Sequence, residues 1–191
     1  GAPLPRSSTL HGVMIDDRVS VSIVEPSARG EAVRARAADE WAAAMGAYAD
    51  SCGTPVAEKT QRAAQAGRVW GAWLDGRRGT VGGPPERRAA IAVLTFRLAA
   101  CGWCTPALMR RLVGSWVFHL LFRREAFTFF ESVFEFASCA AGDGETRARR
   151  LTPDARSELS VMALLAPLLV TDLRAPVLGR VWCTDASPGA G

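Results

Sequence analysis

The side chains best suited to chemistry are two adjacent carboxylates, Asp16 and Asp17. They lie between apolar, β-like segments within residues 9–25, so the pattern predicts a β-hairpin with both carboxylates at its tip. Adjacent carboxylates repel each other unless a cation lies between them and a third ligand, and a divalent metal bound by oxygen ligands is the usual solution. A solvated turn is the simpler alternative, because Asp is common in turns.

Two further residues are candidates on their own. Lys59 is the only Lys in a chain with 22 Arg, and an ammonium group can release a proton where a guanidinium effectively cannot. A Lys codon retained by chance explains this observation equally well. Asp185 follows an apolar segment, residues 181–184, that is predicted as a strand. A carboxylate there is a candidate metal ligand or catalytic group, and an ordinary turn residue is the alternative.

The five Cys residues do not form the paired framework of a secreted protein. Cys101 and Cys104 have the CxxC spacing, but a thioredoxin-like site requires a helix that begins at the first Cys, and here a predicted helix precedes it. A zinc site would need a second pair, which Cys52, Cys139 and Cys183 do not supply. We therefore expect an intracellular protein, cytoplasmic or nuclear, and disfavour the redox interpretation of the CxxC motif.

The bulk composition indicates a folded protein. The chain has 191 residues, 49% of them hydrophobic, and a formal net charge of +4. This length suits one large or two small domains with a buried core, and the apolar fraction excludes wholesale disorder. The basic balance is compatible with a nucleic-acid partner. No apolar run is long enough to cross a membrane, and residues 1–12 lack the apolar segment of a secretory signal, so no membrane partner is expected.

Hydrophobic periodicity predicts the elements that must position these residues. An Ala-rich stretch from Ala28 to about Ser51 is predicted as a helix, and a second hairpin is predicted around a Gly76–Gly79 turn. Four helices follow. The first begins at Pro84-Pro85, and the second begins after a Thr105 N-cap and has Leu108, Leu112 and Trp116 on one face. The third begins near Arg124 and has Phe127, Phe130 and Phe134 on one face. The fourth begins at Thr152-Pro153 and ends near Leu169. The order predicts an α+β fold that ends in one strand.

The order of these motifs resembles the second half of the palm domain of reverse transcriptases, followed by a thumb and the start of a ribonuclease H domain. The residues that carry the resemblance are Met14-Ile15-Asp16-Asp17, Gly53, Lys59-Thr60, Val69-Trp70-Gly71-Ala72, Leu112-Val113-Gly114 and Thr184-Asp185-Ala186-Ser187. The match spans nearly the whole chain, although each motif is short. Met14 stands where the family usually has an aromatic residue.

The resemblance implies a fragment of a retrotransposon polymerase with four parts. These would be the C-terminal part of the palm with the Asp-Asp hairpin at 1–66, a primer-grip-like hairpin at 67–83, a helical thumb and connection at 84–177, and a truncated start of ribonuclease H at 178–191. The family's first palm Asp and its fingers would precede Gly1. Both ends are therefore expected to be cut from a longer protein, and the chain alone is not expected to polymerise nucleotides.

The activity implied by the resemblance is RNA-directed DNA synthesis, a nucleotidyl transfer that uses two magnesium ions (Mg²⁺). Asp16 and Asp17 would be metal-binding catalytic residues of the palm, and Asp185 of ribonuclease H. Lys59 would act on the phosphates of the incoming nucleotide. The implied partners are an RNA or DNA template–primer and deoxynucleoside triphosphates. The resemblance implies that Trp70 and Gly71 contact nucleic acid. Adjacent Arg pairs at the edges of predicted elements add Arg87, Arg88, Arg110 and Arg111 as candidate phosphate contacts, with an ordinary solvated surface as the alternative.

A hypothesis from a different class is a non-enzymatic helical interaction or nucleic-acid-binding module with a basic surface and an aromatic core. Seven of the eight Phe lie between residues 118 and 136, where they are more typical of a core than of a base-stacking surface. The first hairpin separates the two hypotheses. The polymerase requires residues 10–15 and 18–24 to pair antiparallel, whereas a helix in this region would contradict it.

Overall fold

A computed structural model describes residues 9–14, 17–24, 30–50, 56, 58, 60–138 and 145–176. The protein is of mixed α+β class, with five α-helices and small antiparallel sheets in these residues. The chain divides into two compact units, one of residues 1–64 with 175–191 and the other of residues 65–174. None of the described helices is long and apolar enough to span a membrane.

The first unit contains the predicted hairpin. Strand β1 (Thr9–Met14) pairs antiparallel with β2 (Asp17–Ser22), and Met14 lies opposite Asp17. The antiparallel pairing predicted for this region is therefore confirmed. Asp17 is the first residue of β2, and residues 15 and 16, which join the strands, lie outside the described residues.

Helix α1 (Glu31–Asp50) confirms the helix predicted from the Ala-rich composition. Only Ala44 is buried among its described side chains. Polar contacts connect it with the hairpin, since Arg36 donates a hydrogen bond to the Thr9 hydroxyl across 2.7 Å. Near its middle, the Arg62 guanidinium lies 3.7 Å from the centre of the Trp41 ring, a cation–π contact.

The second unit begins with an antiparallel sheet in the order β3-β4-β5-β8. Its strands are β3 (Ala66–Val69), β4 (Ala72–Asp75), β5 (Thr80–Gly82) and β8 (Val170–Asp172). The sequence predicted one hairpin here, and this was wrong in one respect, because the chain also turns at Trp70 and Gly71. Their φ angles are +48° and +81°, and positive φ at both central residues is what a two-residue hairpin turn requires. The predicted Gly76–Gly79 turn is present.

Helices α2 (Pro85–Cys101), α3 (Pro106–Leu120) and α5 (Pro153–Leu165) begin where the sequence predicted. The Thr105 hydroxyl accepts a hydrogen bond from the Leu108 amide, and the Thr152 hydroxyl accepts one from the Ala155 amide, each across 3.1 Å. Both bonds satisfy an amide that has no partner within its helix. Gly102 ends α2 in the left-handed conformation, with φ +73°.

Two predicted helices differ from the structure in their extent. The segment from Arg124 forms a 3₁₀ helix (Arg124–Phe129) followed by a separate helix α4 (Glu131–Ser138). Helix α4 starts anew because the Glu158 carboxylate accepts hydrogen bonds from the Ser132 and Val133 amides, each across 2.9 Å. Helix α5 ends at Leu165, before a 3₁₀ turn that contains Pro167, since proline has no amide hydrogen to continue an α-helix.

A short strand, β7 (Arg149–Arg150), pairs with β6 (Trp103–Cys104). Residues 139–144 lie outside the described part of the chain. The final strand predicted at 181–184 also lies outside it. Strand β8, which pairs with β5, was not predicted from the sequence, and neither were β6 and β7.

The core of the second unit is formed by the facing sides of its four helices. Trp116 of α3 lies at its centre and is fully buried, and its indole Nε1 donates a 2.9 Å hydrogen bond to the Thr95 hydroxyl of α2. The same hydroxyl donates to the Ile91 carbonyl across 2.7 Å. The other fully buried large apolar residues are Met109, Leu120, Phe130, Val133, Leu159 and Met162.

Candidate nucleic-acid interface

The residues predicted to bind metal are mostly outside the described part of the chain. Asp16, Lys59 and Asp185 lie there, and so does Gly53. Asp17 is described only as the first residue of β2. Among the residues that the structure describes, no group of three His, Cys, Asp or Glu side chains could hold a metal ion.

The turn at Trp70 and Gly71 is exposed and lies against α3. Trp70 is 40% exposed. A Cβ atom at Gly71 would lie 3.8 Å from Cζ of Phe118, near the end of α3. Phe118 also makes edge-to-face contacts with the rings of His119 and Phe122. The predicted primer-grip-like turn thus lies close to the face of α3 that carries Phe118.

That face of α3 carries an exposed glycine in the interior of the helix. Gly114 precedes Phe118 by four residues and follows Arg111 by three, so the three residues share one side of the helix. Among the described residues, no heavy atom other than those of the adjacent helix backbone lies within 4 Å of the position that a Cβ would take at Gly114. Glycine in a helix interior costs about 0.5–1 kcal/mol relative to alanine. The described part of the chain offers no packing reason for this cost.

The predicted nucleic-acid-binding arginines divide into two groups. Arg87 and Arg111 are exposed, and their guanidinium groups form no hydrogen bond or ion pair with another described residue. Arg110 is engaged within the protein, since it forms a 2.7 Å ion pair with Glu145 and donates to the Ala137 carbonyl across 3.0 Å. Arg88 donates to the Gly83 and Leu169 carbonyls, and burial lowers its pKa. Arg88 and Arg110 therefore stabilise the fold.

His119 is a buried polar residue that the sequence did not single out. It is 1% exposed, and its ring lies so close to Gly83 that a Cβ there would overlap with Nδ1 and Cε1. Nδ1 is buried and has no hydrogen-bond partner among the described residues. Burial lowers the pKa of His119, and the positive charges of Arg88 and Arg87 lower it further. Its position three residues after Trp116, on the apolar side of α3, is the signal that could have identified it.

The CxxC motif does not have the geometry of a redox site. Cys101 is the last residue of α2 rather than the first residue of a helix, and it is exposed. Cys104 is 3% exposed, and its thiol donates to the Thr105 carbonyl across 3.3 Å. Burial raises the pKa of this thiol, which disfavours the reactive thiolate. The expectation against a thioredoxin-like site is confirmed.

The geometry therefore defines one candidate interface in the second unit, formed by the Trp70–Gly71 turn, Phe118, Gly114 and Arg111. Its members are exposed except Phe118, which is half-buried, and they include aromatic, glycine and cationic positions. No protein-family model, curated protein or solved structure was found to match the chain. The interpretation of this surface accordingly depends on its own chemistry.

Proposed function

We propose that the chain is a fragment of the RNA-directed DNA polymerase of a retrotransposon, and that residues 65–174 hold the template–primer duplex. The motif order supports this proposal, together with the antiparallel pairing of β1 and β2. Two residues, Ile15 and Asp16, join these strands. The register sets Asp17 opposite Met14, at the end of the paired strands.

The observation that carries the duplex-binding proposal is the exposed Gly114 on α3, beside the Trp70–Gly71 turn. A helix that lacks a side chain at one point admits close approach of another backbone. The wide, shallow minor groove of an RNA-containing duplex accepts such a surface by shape and backbone contacts rather than by sequence. Arg111 would contribute a phosphate contact at the edge of this surface.

Charge distribution supports the same assignment. Residues 65–174 contain 15 Arg against ten Asp or Glu, whereas the rest of the chain has eight basic and nine acidic residues. All of the net positive charge thus belongs to the unit that carries the candidate interface. Nucleic-acid binding driven by such a surface releases counterions and weakens as salt increases.

The roles proposed for the remaining site residues come from the resemblance. In the intact enzyme Asp16 and Asp17 would bind Mg²⁺, which lowers the pKa of the primer hydroxyl and stabilises the leaving pyrophosphate. Lys59 would lie beside the phosphates of the incoming deoxynucleotide, where its ammonium group stabilises developing negative charge. Asp185 would bind metal in the ribonuclease H domain. Under this proposal, the parts of this α+β chain correspond to the palm, thumb and connection of the polymerase.

The duplex-binding proposal is tested by adding a side chain at Gly114. Gly114→Leu fills the open space on α3 and should weaken binding of a fluorescein-labelled blunt RNA–DNA hybrid by about ten-fold, or about 1.4 kcal/mol. Fluorescence anisotropy titrations at two salt concentrations measure the Kd. Gly46→Leu is the matched control, because Gly46 is also an exposed glycine inside a helix with no atom near its Cβ position.

Circular dichroism of both variants establishes that the helices are retained. An equal hybrid affinity for Gly114→Leu, Gly46→Leu and the unchanged chain would remove α3 from the interface and contradict the proposal. Absence of any hybrid binding at low salt would also contradict it, and would favour the non-enzymatic helical interaction module.

A further inference from the structure

A second surface on the same unit combines an exposed tryptophan with three arginines. Trp103 of β6 is 54% exposed, and it lies opposite Arg150 in the pairing of β6 with β7. Arg149 lies opposite Cys104 in the same pair of strands, and Arg147 precedes them in the chain. All three arginines are exposed. Trp103, Arg147, Arg149 and Arg150 are called the β6–β7 patch below.

The backbone of this patch is fixed at both ends. The Leu151 amide donates to the Gly102 carbonyl across 2.8 Å, and the Ala107 amide donates to the Glu145 carbonyl across 3.1 Å. Leu151 itself is 3% exposed and belongs to the core. The arginines therefore project from an anchored segment, so their ordering for a ligand costs less entropy than on a free loop.

The positive charge of the patch is not balanced within the described part of the chain. Glu145 is the acidic residue nearest in sequence, and Arg110 occupies it through a 2.7 Å ion pair. None of the ion pairs among the described residues includes Arg147, Arg149 or Arg150. Three guanidinium groups that have no carboxylate partner among the described residues, next to an exposed indole, form a surface suited to an anionic ligand with aromatic groups.

The patch adjoins the N-terminal end of α3, the helix that carries Gly114. Ala107, which bonds to the Glu145 carbonyl, precedes Arg111 by one turn and Gly114 by two turns of the helix. Seven residues of α-helix span about 10 Å. The β6–β7 patch therefore lies at the N-terminal end of α3, and its anchor point at Ala107 is about 10 Å along the helix from Gly114.

We propose that the β6–β7 patch binds single-stranded nucleic acid, with a base stacked on Trp103 and its phosphates bound by Arg147, Arg149 and Arg150. Stacking on an exposed indole needs a free base face, which a duplex hides and a single strand presents. An acidic peptide would satisfy the arginines but would make no use of the indole. The inference rests on the proposed function, because it adds a single-strand site to the duplex surface.

The test compares single-strand binding in matched variants of the full chain. The probe is a fluorescein-labelled 12-nucleotide oligothymidylate, and the readout is the Kd from fluorescence anisotropy. Trp103→Ala should weaken this binding by about 5- to 150-fold, the range for loss of one stacked base. Trp103→Phe should restore a large part of it, because a phenyl ring still stacks.

The arginines are tested by a pair of double variants. Arg149→Gln with Arg150→Gln should lower the slope of log Kd against log salt by about 1.4, since each phosphate contact on a single strand contributes about 0.7. Arg77→Gln with Arg78→Gln is the control, because this adjacent pair lies in the exposed Gly76–Gly79 turn. It should leave both the affinity for the oligothymidylate and the salt slope unchanged.

The outcomes separate this inference from the proposed function. Unchanged oligothymidylate affinity in Trp103→Ala, with hybrid binding still sensitive to Gly114→Leu, would overturn the single-strand site alone. Competition by polyglutamate that depends on Arg149 and Arg150 but not on Trp103 would overturn it in favour of an acidic protein partner. Loss of hybrid sensitivity to Gly114→Leu, with Trp103 still required for the single strand, would overturn the duplex surface and retain the patch as a binding site.

Discussion

The two faces of α3 differ in how far packing contacts within the chain explain their residue types. On the inner face, Met109, Trp116 and Leu120 are fully buried and Leu112 is 3% exposed, and each packs in the core of the second unit. On the outer face, Gly114 has no neighbour within 4 Å of its Cβ position. Contacts among the described residues account for the inner face, and none of them accounts for the glycine on the outer face. The difference teaches that packing explains the residues of one face, whereas Gly114 is explained by a ligand only under the proposed function.

The inner face itself contains two buried polar groups, of which one has a hydrogen-bond partner and the other has none among the described residues. The Trp116 indole is paired with the Thr95 hydroxyl across 2.9 Å. His119, one turn further along the helix, has a buried Nδ1 without a partner in the described chain. Burying a polar group is costly unless it is hydrogen-bonded, so the two positions should respond differently to substitution.

The largest effect is expected for removal of the Thr95 hydroxyl. Thr95→Val keeps the volume of the side chain but leaves the Trp116 indole N–H buried without an acceptor, which should lower the free energy of unfolding by about 1–3 kcal/mol. Urea unfolding followed by tryptophan fluorescence measures this value. Thr95→Ser retains the acceptor and should lose less. A smaller loss for valine than for serine would show that the hydrogen bond does not stabilise this core.

A pH-dependent loss of stability is expected from His119. Because its folded-state pKa lies below the ordinary value of 6.5, the unfolded chain binds the proton more readily. The contribution of His119 to the free energy of unfolding is therefore fully present above about pH 6.5 and is lost as the pH drops below it. Melting temperatures from circular dichroism at pH 7.5 and 5.5 should differ less in His119→Gln than in the unchanged chain.

His11→Gln is the control for that measurement, since His11 is exposed on β1. It should keep the pH dependence that His119→Gln removes. The same pH dependence in the unchanged chain and in His119→Gln would mean that protonation of the buried ring does not destabilise the fold.

The smallest change in the free energy of unfolding is expected at Gly114, and Gly83 provides the contrast. Gly114→Ala should raise the free energy of unfolding by about 0.5–1 kcal/mol, because alanine is the better helix former and the space around position 114 is open. Gly83→Ala should lower it, because the new Cβ would overlap with the ring of His119. Urea unfolding of the two variants measures both changes. A destabilising Gly114→Ala would show that this glycine is required by the fold itself, and would weaken its link to a ligand.

Local signals in the sequence predicted much of the fold. The caps at Thr105 and Thr152 and the burial of Leu112 and Trp116 follow from residue types a few positions apart. The hairpin of β1 and β2 follows in the same way from alternating apolar residues. These elements depend on contacts between neighbours in the sequence, so the sequence contains the information.

The features that the sequence did not predict depend on distant partners. Strand β8 exists because it pairs with β5, and α4 begins where Glu158 of α5 caps it. In the candidate interface, Trp70 and Gly71 were predicted from the resemblance and Arg111 from its place in an Arg pair, and all three are exposed. The engagement of Arg88 was not predictable, because its carbonyl partner on Leu169 lies 81 residues further along the chain.

The pairing of β5 with β8 also sets when the second unit can finish folding. Thr80 lies opposite Asp172 and Gly82 opposite Val170, so the edge of β5 is completed by the last strand of the unit. At the usual rate of synthesis of about 5–20 residues per second, β8 leaves the ribosome roughly 5–20 s after β5. All four helices of the unit are made during this interval. The sheet is therefore completed only after residue 172 has emerged, rather than strand by strand during translation.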